Sequence, residues 1–346
     1  MLRGGIPIPS ILDIAKLAGV SKTTVSKVLN HQYGVHEDTR KKVWEAAAEL
    51  HYTPNIAART LVTSKTGVIG VVYDSFSSPI YMELAGKLEH FAAEKGYHLV
   101  FCSCNARQEA KQHYIQYFMG GAADGVIIFG SAKDDLPVIQ RLMALQFPFV
   151  VIENHFEELE IPNVLVDNQA GARQAVHYLH RLGHRSIVHV TGNMEHRVAM
   201  DRQAGFREAM EALGLDTGSD AFISTDGSNG CGVGAAQQLM GMNKKPTAVF
   251  AFNDLIAYEM MDTLHQAGYR IPEDISIVGF DHLAGVLSFK PGLHDLTSIA
   301  QPLSAVAEAA VEIVAAAAAV EEGISRFRLF TPELKEGHTC ARVQRQ

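Results

Sequence analysis

Lys22, Thr23, Ser26 and Lys27 place two cations and two hydroxyls within six residues, on a segment whose apolar positions are Val25, Val28 and Leu29. Lysine ammonium groups donate to phosphate oxygens and to guanine O6 or N7. A threonine offers its methyl to thymine and its hydroxyl to either base. The chemistry is that of duplex recognition, and it needs a rigid element to aim it. Val25, Val28 and Leu29 give that element a buried side, and Ser21 is a good N-cap for it. Upstream, Ile11, Ile14, Ala15 and Ala18 recur at i, i+3, i+4 and i+7, and Gly19 stops that first helix before a Gly-Val turn. Thr39 to Tyr52 form a third amphipathic stretch. The pattern predicts a helix-turn-helix, although an ordinary αα-hairpin shares its spacing.

The charge distribution agrees. Net charge is −8, which alone argues against a nucleic-acid partner. Yet residues 1–66 hold nine Lys or Arg against five acids, so a head of +4 precedes a body of −12. Such a dipole keeps the body off phosphates and orients approach.

After Gly67 the rhythm changes. Apolar runs at Val68–Val72, Leu99–Cys102, Val126–Phe129, Phe149–Ile152, Val164–Val166, Ile187–Val190, Ala248–Phe252 and Ile275–Phe280 read as buried parallel strands. Amphipathic helical stretches separate them near Pro79–Lys95, Gln108–Met119, Asn168–Leu182, Ala204–Leu213, Asn229–Met240 and Leu255–Ala267. Alternation over this length predicts doubly wound α/β sheets, and so many strands suit two lobes better than one. No run of about 18 apolar residues is free of charge, so no membrane partner is expected. The opening MLRGGIPIPS lacks a continuous apolar stretch, and no secretory signal is expected. Four cysteines without zinc-type pairing read as reduced thiols of a cytoplasmic protein.

AGVSKTTVSKVLN followed by YTPNIAARTL resembles the LacI/GalR family of transcriptional regulators, and NDLIA and ISIVGFD extend the resemblance through the body. It implies an N-terminal all-α helix-turn-helix domain over 1–53, a hinge helix within 54–65, and an α/β periplasmic-binding-protein-like body over 66–346. The two doubly wound parallel-sheet lobes are expected at about 66–166 with 297–325, and 167–296 with 326–346. A homodimeric repressor of a palindromic double-stranded DNA operator follows, governed by a sugar or sugar-acid effector and needing no cofactor or metal.

By that resemblance, Ser21, Lys22, Thr23, Ser26, Lys27 and Asn30 meet DNA from the recognition helix. Lys27 stands where arginine is common, so its guanine selection is expected to be looser. Asn55, Ala58, Arg59 and Leu61 belong to the hinge helix. Eight residues make a marginal helix alone, and Leu61 is expected to wedge into a central base step. The effector contacts implied are Glu153, which ends PFVVIE where Asp is more usual, Arg202 in RQAGF, Asn253 before the α-helix of NDLIA, and Asp281 after ISIVGF. Tyr81 and Phe129 are candidate apolar walls. Asp254 is expected to cap its helix. Gly227 falls near where relatives often carry an aromatic. His155, His196, Arg197 and His282 suggest a bias toward acidic sugars.

Rival motifs exist. GCGVGA, Gly230 to Ala235, fits a dinucleotide fingerprint, but the preceding FISTDG is poorly strand-like. His177, His180 and His184 fall at i, i+3 and i+7 without a nearby acidic or thiol ligand. No nucleophile–base motif is present, so an enzyme is not expected. A cytoplasmic solute-binding protein is the alternative, opposed by the basic head.

Overall fold

Ser10 starts the first helix by giving both its amide and hydroxyl hydrogens to Asp13, at 2.9 and 2.7 Å. In the computed structural model that helix, α1, spans Ile11–Ala18. The structure describes residues 9–29, 33–53, 60, 65–74, 79–105, 107–130, 133–156, 159–283, 295–321 and 323–343. Asn30 and the hinge residues Asn55, Ala58, Arg59 and Leu61 lie outside that set.

Two compact units divide at Thr66. In the first, α1 stops at Gly19, whose left-handed backbone (φ 67°) returns its amide to Ala15, a conformation that glycine adopts without a Cβ penalty. Helix α2 spans Lys22–Leu29 and α3 spans Glu37–Glu49. Ser21 Oγ accepts the Thr24 amide at 3.1 Å, so the cap is present. Ile14, Val25, Val28 and Val43 are fully buried at the meeting of the three helices, with Ala15, Ala46 and Ala47 filling the remaining gaps. Small residues on α3 let the helices approach closely.

The second unit holds two six-stranded sheets. In the first, the order is β11–β5–β4–β3–β1–β2, all parallel. Its strands are β1 (Val68–Tyr73), β2 (His98–Ser103), β3 (Gly125–Phe129), β4 (Phe149–Ile152), β5 (Asn163–Val166) and β11 (Phe327–Phe330). Helices α4 (Pro79–Glu94) and α11 (Leu303–Ala319) cover one face; α5 (Gln108–Tyr117) and α6 (Leu136–Ala144) cover the other. In the second, β12–β10–β9–β8–β6–β7, only β12 runs antiparallel. It comprises β6 (Ile187–Val190), β7 (Phe222–Ile223), β8 (Ala248–Ala251), β9 (Ser276–Asp281), β10 (Thr297–Ala300) and β12 (Glu333–Lys335). Helices α7 (Asn168–Arg181) and α8 (Arg197–Ala212) pack on one face, and α9 (Cys231–Gly241) and α10 (Asp254–Gln266) on the other.

The chain passes between lobes three times: after β5, after β10 and after β11. Two of these passages are tied together, since the Asp167 amide donates to Phe330 O at 2.8 Å. The boundaries expected at 297 and 326 therefore shift. Thr297–Ala300 pairs with β9 in the second sheet, and Phe327–Phe330 pairs with β5 in the first. Hydrogen bonding to those neighbours keeps each strand in its sheet until the residue after it turns away. No helix among the described residues is long and apolar enough to cross a membrane.

Candidate functional site

On the first unit, α2 presents Lys22, Thr23 and Lys27 to solvent while Val25 and Val28 are buried. Ser26 is half-buried. Ser21 is exposed, but its hydroxyl already serves Thr24 through the amide and a 2.8 Å contact with Thr24 Oγ1. It positions the helix as well as facing outward. The outcome is a rigid rod carrying two free-standing cations and a hydroxyl, which suits groove entry.

On the second unit, the carboxyl ends of the strands meet across the lobes, where ligands bind in doubly wound sheets. Lobe 1 contributes Asp74 after β1, Tyr81 on α4, Phe129 ending β3 and Glu153 after β4. Lobe 2 contributes Arg202 on α8, Phe252 and Asn253 after β8, and Asp281 ending β9. The fields of Asp74, Glu153 and Asp281 all act on the Tyr81 phenol, raising its pKa beyond the effect of burial. Glu153 and Asp281 are held at φ 73° and 109°, in left-handed backbone that a non-glycine residue occupies at a cost of about 1–3 kcal/mol each. Strain at both strand ends marks them as aimed groups.

Arg202 anchors the centre. Nε donates to Asn168 Oδ1 at 2.9 Å, Nη1 to Phe252 O at 2.6 Å, and Nη2 lies 3.5 Å from Asp281 Oδ1. The guanidinium carbon sits 3.6 Å from the Phe280 ring centroid and 4.8 Å from that of Phe252. Its stacked plane fixes the fork direction. Gln301, at the second lobe passage, donates Nε2 to Asp281 Oδ1 at 2.7 Å. Asp281 thus takes one bond from a passage residue and one charge from α8.

Burial raises the carboxyl pKa values. Removal from water pushes Glu153 up to about 8, with Arg202 opposing and Asp281 and Asp74 adding to the rise. Asp281 reaches about 6 by the same cause, again opposed by Arg202. Asp254 reaches about 8 through burial and the Asp281 charge.

Several expected roles change. Asn253, not Asp254, caps α10: its Oδ1 accepts the Ile256 amide at 2.9 Å from an extended backbone. Asp254 is 1% exposed and accepts from Ser298 Oγ and the Leu283 amide, at 2.5 and 2.6 Å. Gly279 makes room for it, since a Cβ there would collide with Asp254 Oδ1. Phe129 is 2% exposed, meeting Tyr81 edge-on at 4.6 Å, so it supports that ring from behind. Gly227 lies against Phe252, where a Cβ would stand 3.3 Å from the ring. Phe252 supplies the aromatic surface there. Two of the cations suggested for acidic ligands are committed or peripheral, whereas the buried Nδ1 of His282, next to Asp281, has no hydrogen-bond partner among the described residues. Arg197 gives its Nε to Asp201 at 3.0 and 3.1 Å, and His196 is exposed at the N-cap of α8.

Asp74 and Gln301 were absent from the sequence-based set. Asp74 is reached by Lys111 Nζ at 2.7 Å, and the same ammonium meets Asp135 at 2.9 Å and Gly130 O at 3.0 Å.

The rival motifs are accounted for. Glu259 occupies the amino end of α9, accepting the Gly230 and Gly232 amides at 2.6 and 2.9 Å. A pyrophosphate would have to displace that carboxylate. His184 turns one nitrogen to Thr247 and the other to Ala341 O. No group of three His, Cys, Asp or Glu suited to a metal occurs among the described residues.

A small basic helical unit joined in one chain to a two-lobed body with a polar cleft defines a DNA-binding regulator with a small-molecule site. Residues 10–55 match the bacterial regulatory proteins of the lacI family, and residues 176–340 match the periplasmic binding protein-like domain. The chain is 32% identical over 305 residues to the HTH-type transcriptional repressor PurR of Aliivibrio salmonicida, covering 88% of this chain and 91% of the relative. Against the HTH-type transcriptional regulator DegA of Bacillus subtilis it is 33% identical over 297 residues, covering 85% and 87%. It is similar to the lac repressor dimer bound to operator and the anti-inducer ONPF, with TM-score 0.84, 25% identity and coverage of 96% and 99%. A complex of the transcriptional regulator CelR with cellobiose gives 0.72, 26%, 96% and 99%. The chain belongs to the lacI family of bacterial transcriptional regulators, which are not enzymes.

Proposed function

We propose that this protein is a homodimeric repressor of a near-palindromic operator, working in the cytoplasm and released or recruited by a sugar-class effector bound between the lobes. The observation that carries the effector half is the convergence of Tyr81, Glu153, Arg202 and Asp281 from both lobes on one cleft. Carboxylates, an amide at Asn253 and an aromatic wall suit vicinal hydroxyls, which both donate and accept. Relatives crystallised with cellobiose and with D-xylulofuranose support a sugar, and the lac repressor dimer on its operator supports two-fold DNA binding.

The mechanism follows from the connections. Effector in the cleft alters the angle between lobes that Gln301 and Asp167 join. A change of angle alters the spacing of the paired segments 54–65. On this reading Asn55, Ala58, Arg59 and Leu61 engage the minor groove when that spacing fits, while Lys22, Thr23 and Lys27 read the major groove on each side. Coupling of this kind is reciprocal, at about 1–3 kcal/mol. The test is fluorescence anisotropy of palindromic duplexes at low salt, with and without sugars. No rise in anisotropy for any duplex, with or without sugar, overturns the proposal, as does sugar binding that leaves duplex affinity unchanged.

A further inference from the structure

We propose that the cleft selects a ligand carrying an ammonium group beside its hydroxyls, an amino sugar in chemical class, with Glu153 as the counter-ion for that ammonium. This rests on reading the cleft as a sugar-effector site and adds the charge of the ligand.

Four carboxyl groups border or underlie the cleft: Asp74 and Glu153 from lobe 1, Asp254 and Asp281 from lobe 2. Among the described residues the permanent cations beside them are Arg202 and Lys111, and both are spent. Lys111 divides its three hydrogens among Asp74, Asp135 and Gly130 O, at 2.7–3.0 Å. Arg202 is 3% exposed, engaged through each nitrogen and covered by Phe280. The charges acting on Glu153 are Arg202, Asp281 and Asp74, two of them negative. An anionic ligand therefore meets committed permanent cations and, in Glu153, an uncommitted acid.

Glu153 is the acid left over. Asp74 holds Lys111, Asp281 holds Gln301 and Arg202, and Asp254 holds Ser298 and Leu283. No hydrogen bond reaches the Glu153 side chain from the described residues, and it remains partly accessible. It follows β4 in left-handed backbone, near enough to the phenol of Tyr81 on α4 for its charge to act there. Burial pushes this carboxyl up to about 8, which favours its protonated form at neutral pH. A bound ammonium replaces that proton, which leaves to solvent, and the resulting ion pair supplies the missing positive charge.

The experiment is titration calorimetry of the full-length protein at pH 7, in two buffers of different ionisation enthalpy. The probes are matched triples: D-glucosamine, D-glucose and D-glucuronate, with the corresponding galacto and manno sets. The amino member of one triple is expected to bind at least about tenfold tighter than its neutral parent, as a charge-assisted hydrogen bond allows, and the uronate more weakly than either. The amino sugar's binding releases close to one proton, read from the buffer dependence of the enthalpy. In Glu153→Gln, checked for folding by its melting curve, the amino-to-neutral affinity ratio falls to about one. A uronate or neutral sugar binding as tightly as its amino partner overturns the ammonium assignment and leaves the sugar reading standing. So does a ratio that survives Glu153→Gln. Failure of every member of every triple to bind overturns the sugar reading, and the ammonium assignment with it.

Discussion

Asp254 and Ser298 are joined by a 2.5 Å hydrogen bond that ties the first turn of α10 to β10, three residues before the chain leaves for lobe 1. The other Asp254 oxygen accepts the amide of Leu283, whose side chain is buried in the lobe 1 core. One carboxyl thus ties α10 both to the strand before a lobe passage and to a residue whose side chain packs in lobe 1.

That carboxyl sets a pH dependence. Its folded pKa of about 8 lies above the usual 3.8. Between those values the folded protein keeps a proton that the unfolded chain has lost, so stability falls as pH rises through this window. Glu153 and Asp281, at about 8 and 6, act with the same sign. Asp254→Asn removes the titrating proton; its amide oxygen still accepts from Leu283, and the Ser298 hydroxyl, which donates to Asp254, turns to accept from the new NH2 group. Urea denaturation is expected to show near-equal stability of variant and parent at pH 5, with the variant more stable at pH 8. An unchanged pH slope refutes this.

Lys111→Met leaves Asp74 and the fully buried Asp135 without their cation. Breaking a buried pair this way costs about 3–5 kcal/mol. Chemical denaturation followed by tryptophan-independent circular dichroism measures it, because the lone Trp44 reports only on the first unit. Loss below 1 kcal/mol would mean that water solvates the cluster.

Arg202→Met removes the charge that opposes ionisation-driven repulsion among Glu153, Asp254 and Asp281. The loss of stability is expected to be larger at pH 8 than at pH 5, since the acids ionise over that range. Sugar binding is abolished in calorimetry, while the DNA-reading face, which lies in the other unit, keeps its groups. Equal losses at both pH values contradict the electrostatic account.

On α2, Ser21→Ala removes a cap and costs the helical unit about 1 kcal/mol. Lys22→Ala is expected to relax selection at one base pair by about 1–3 kcal/mol. Lys27→Arg sharpens guanine preference there, because the planar fork makes two parallel bonds. Competition binding against single-base operator variants separates these outcomes; a uniform loss across all variants would assign Lys22 to phosphate instead.

The sequence made most of this architecture readable because buried parallel strands are continuous apolar runs. VIGVVY, GVIIF and FVVI need no context. Strand β10, TSIA, escaped because its Thr297 and Ser298 are polar yet fully buried, their hydroxyls spent on Gly337 and Asp254. Strand β11 escaped because it is an edge, with Phe327 and Leu329 exposed. Helix phase explains why Asn253 and not Asp254 is the cap: adjacent residues share composition cues, and only backbone angles decide which one stands outside the helix. Asp74 was legible by the rule that found Glu153 and Asp281, since it too follows an apolar strand. Gln301 was not, because a passage between lobes leaves no periodic trace. The committed state of Arg202 was equally hidden, being made by Asn168, Phe252 and Phe280 from distant segments.

The three passages between lobes have a topological result. Neither half is a continuous piece of polypeptide, so no single proteolytic cut frees one from the other. A fragment carrying only lobe 2 must splice residues 167–300 to the tail, with one new joint. Any rocking of the halves therefore bends three parallel tethers together, which permits pivoting and resists detachment.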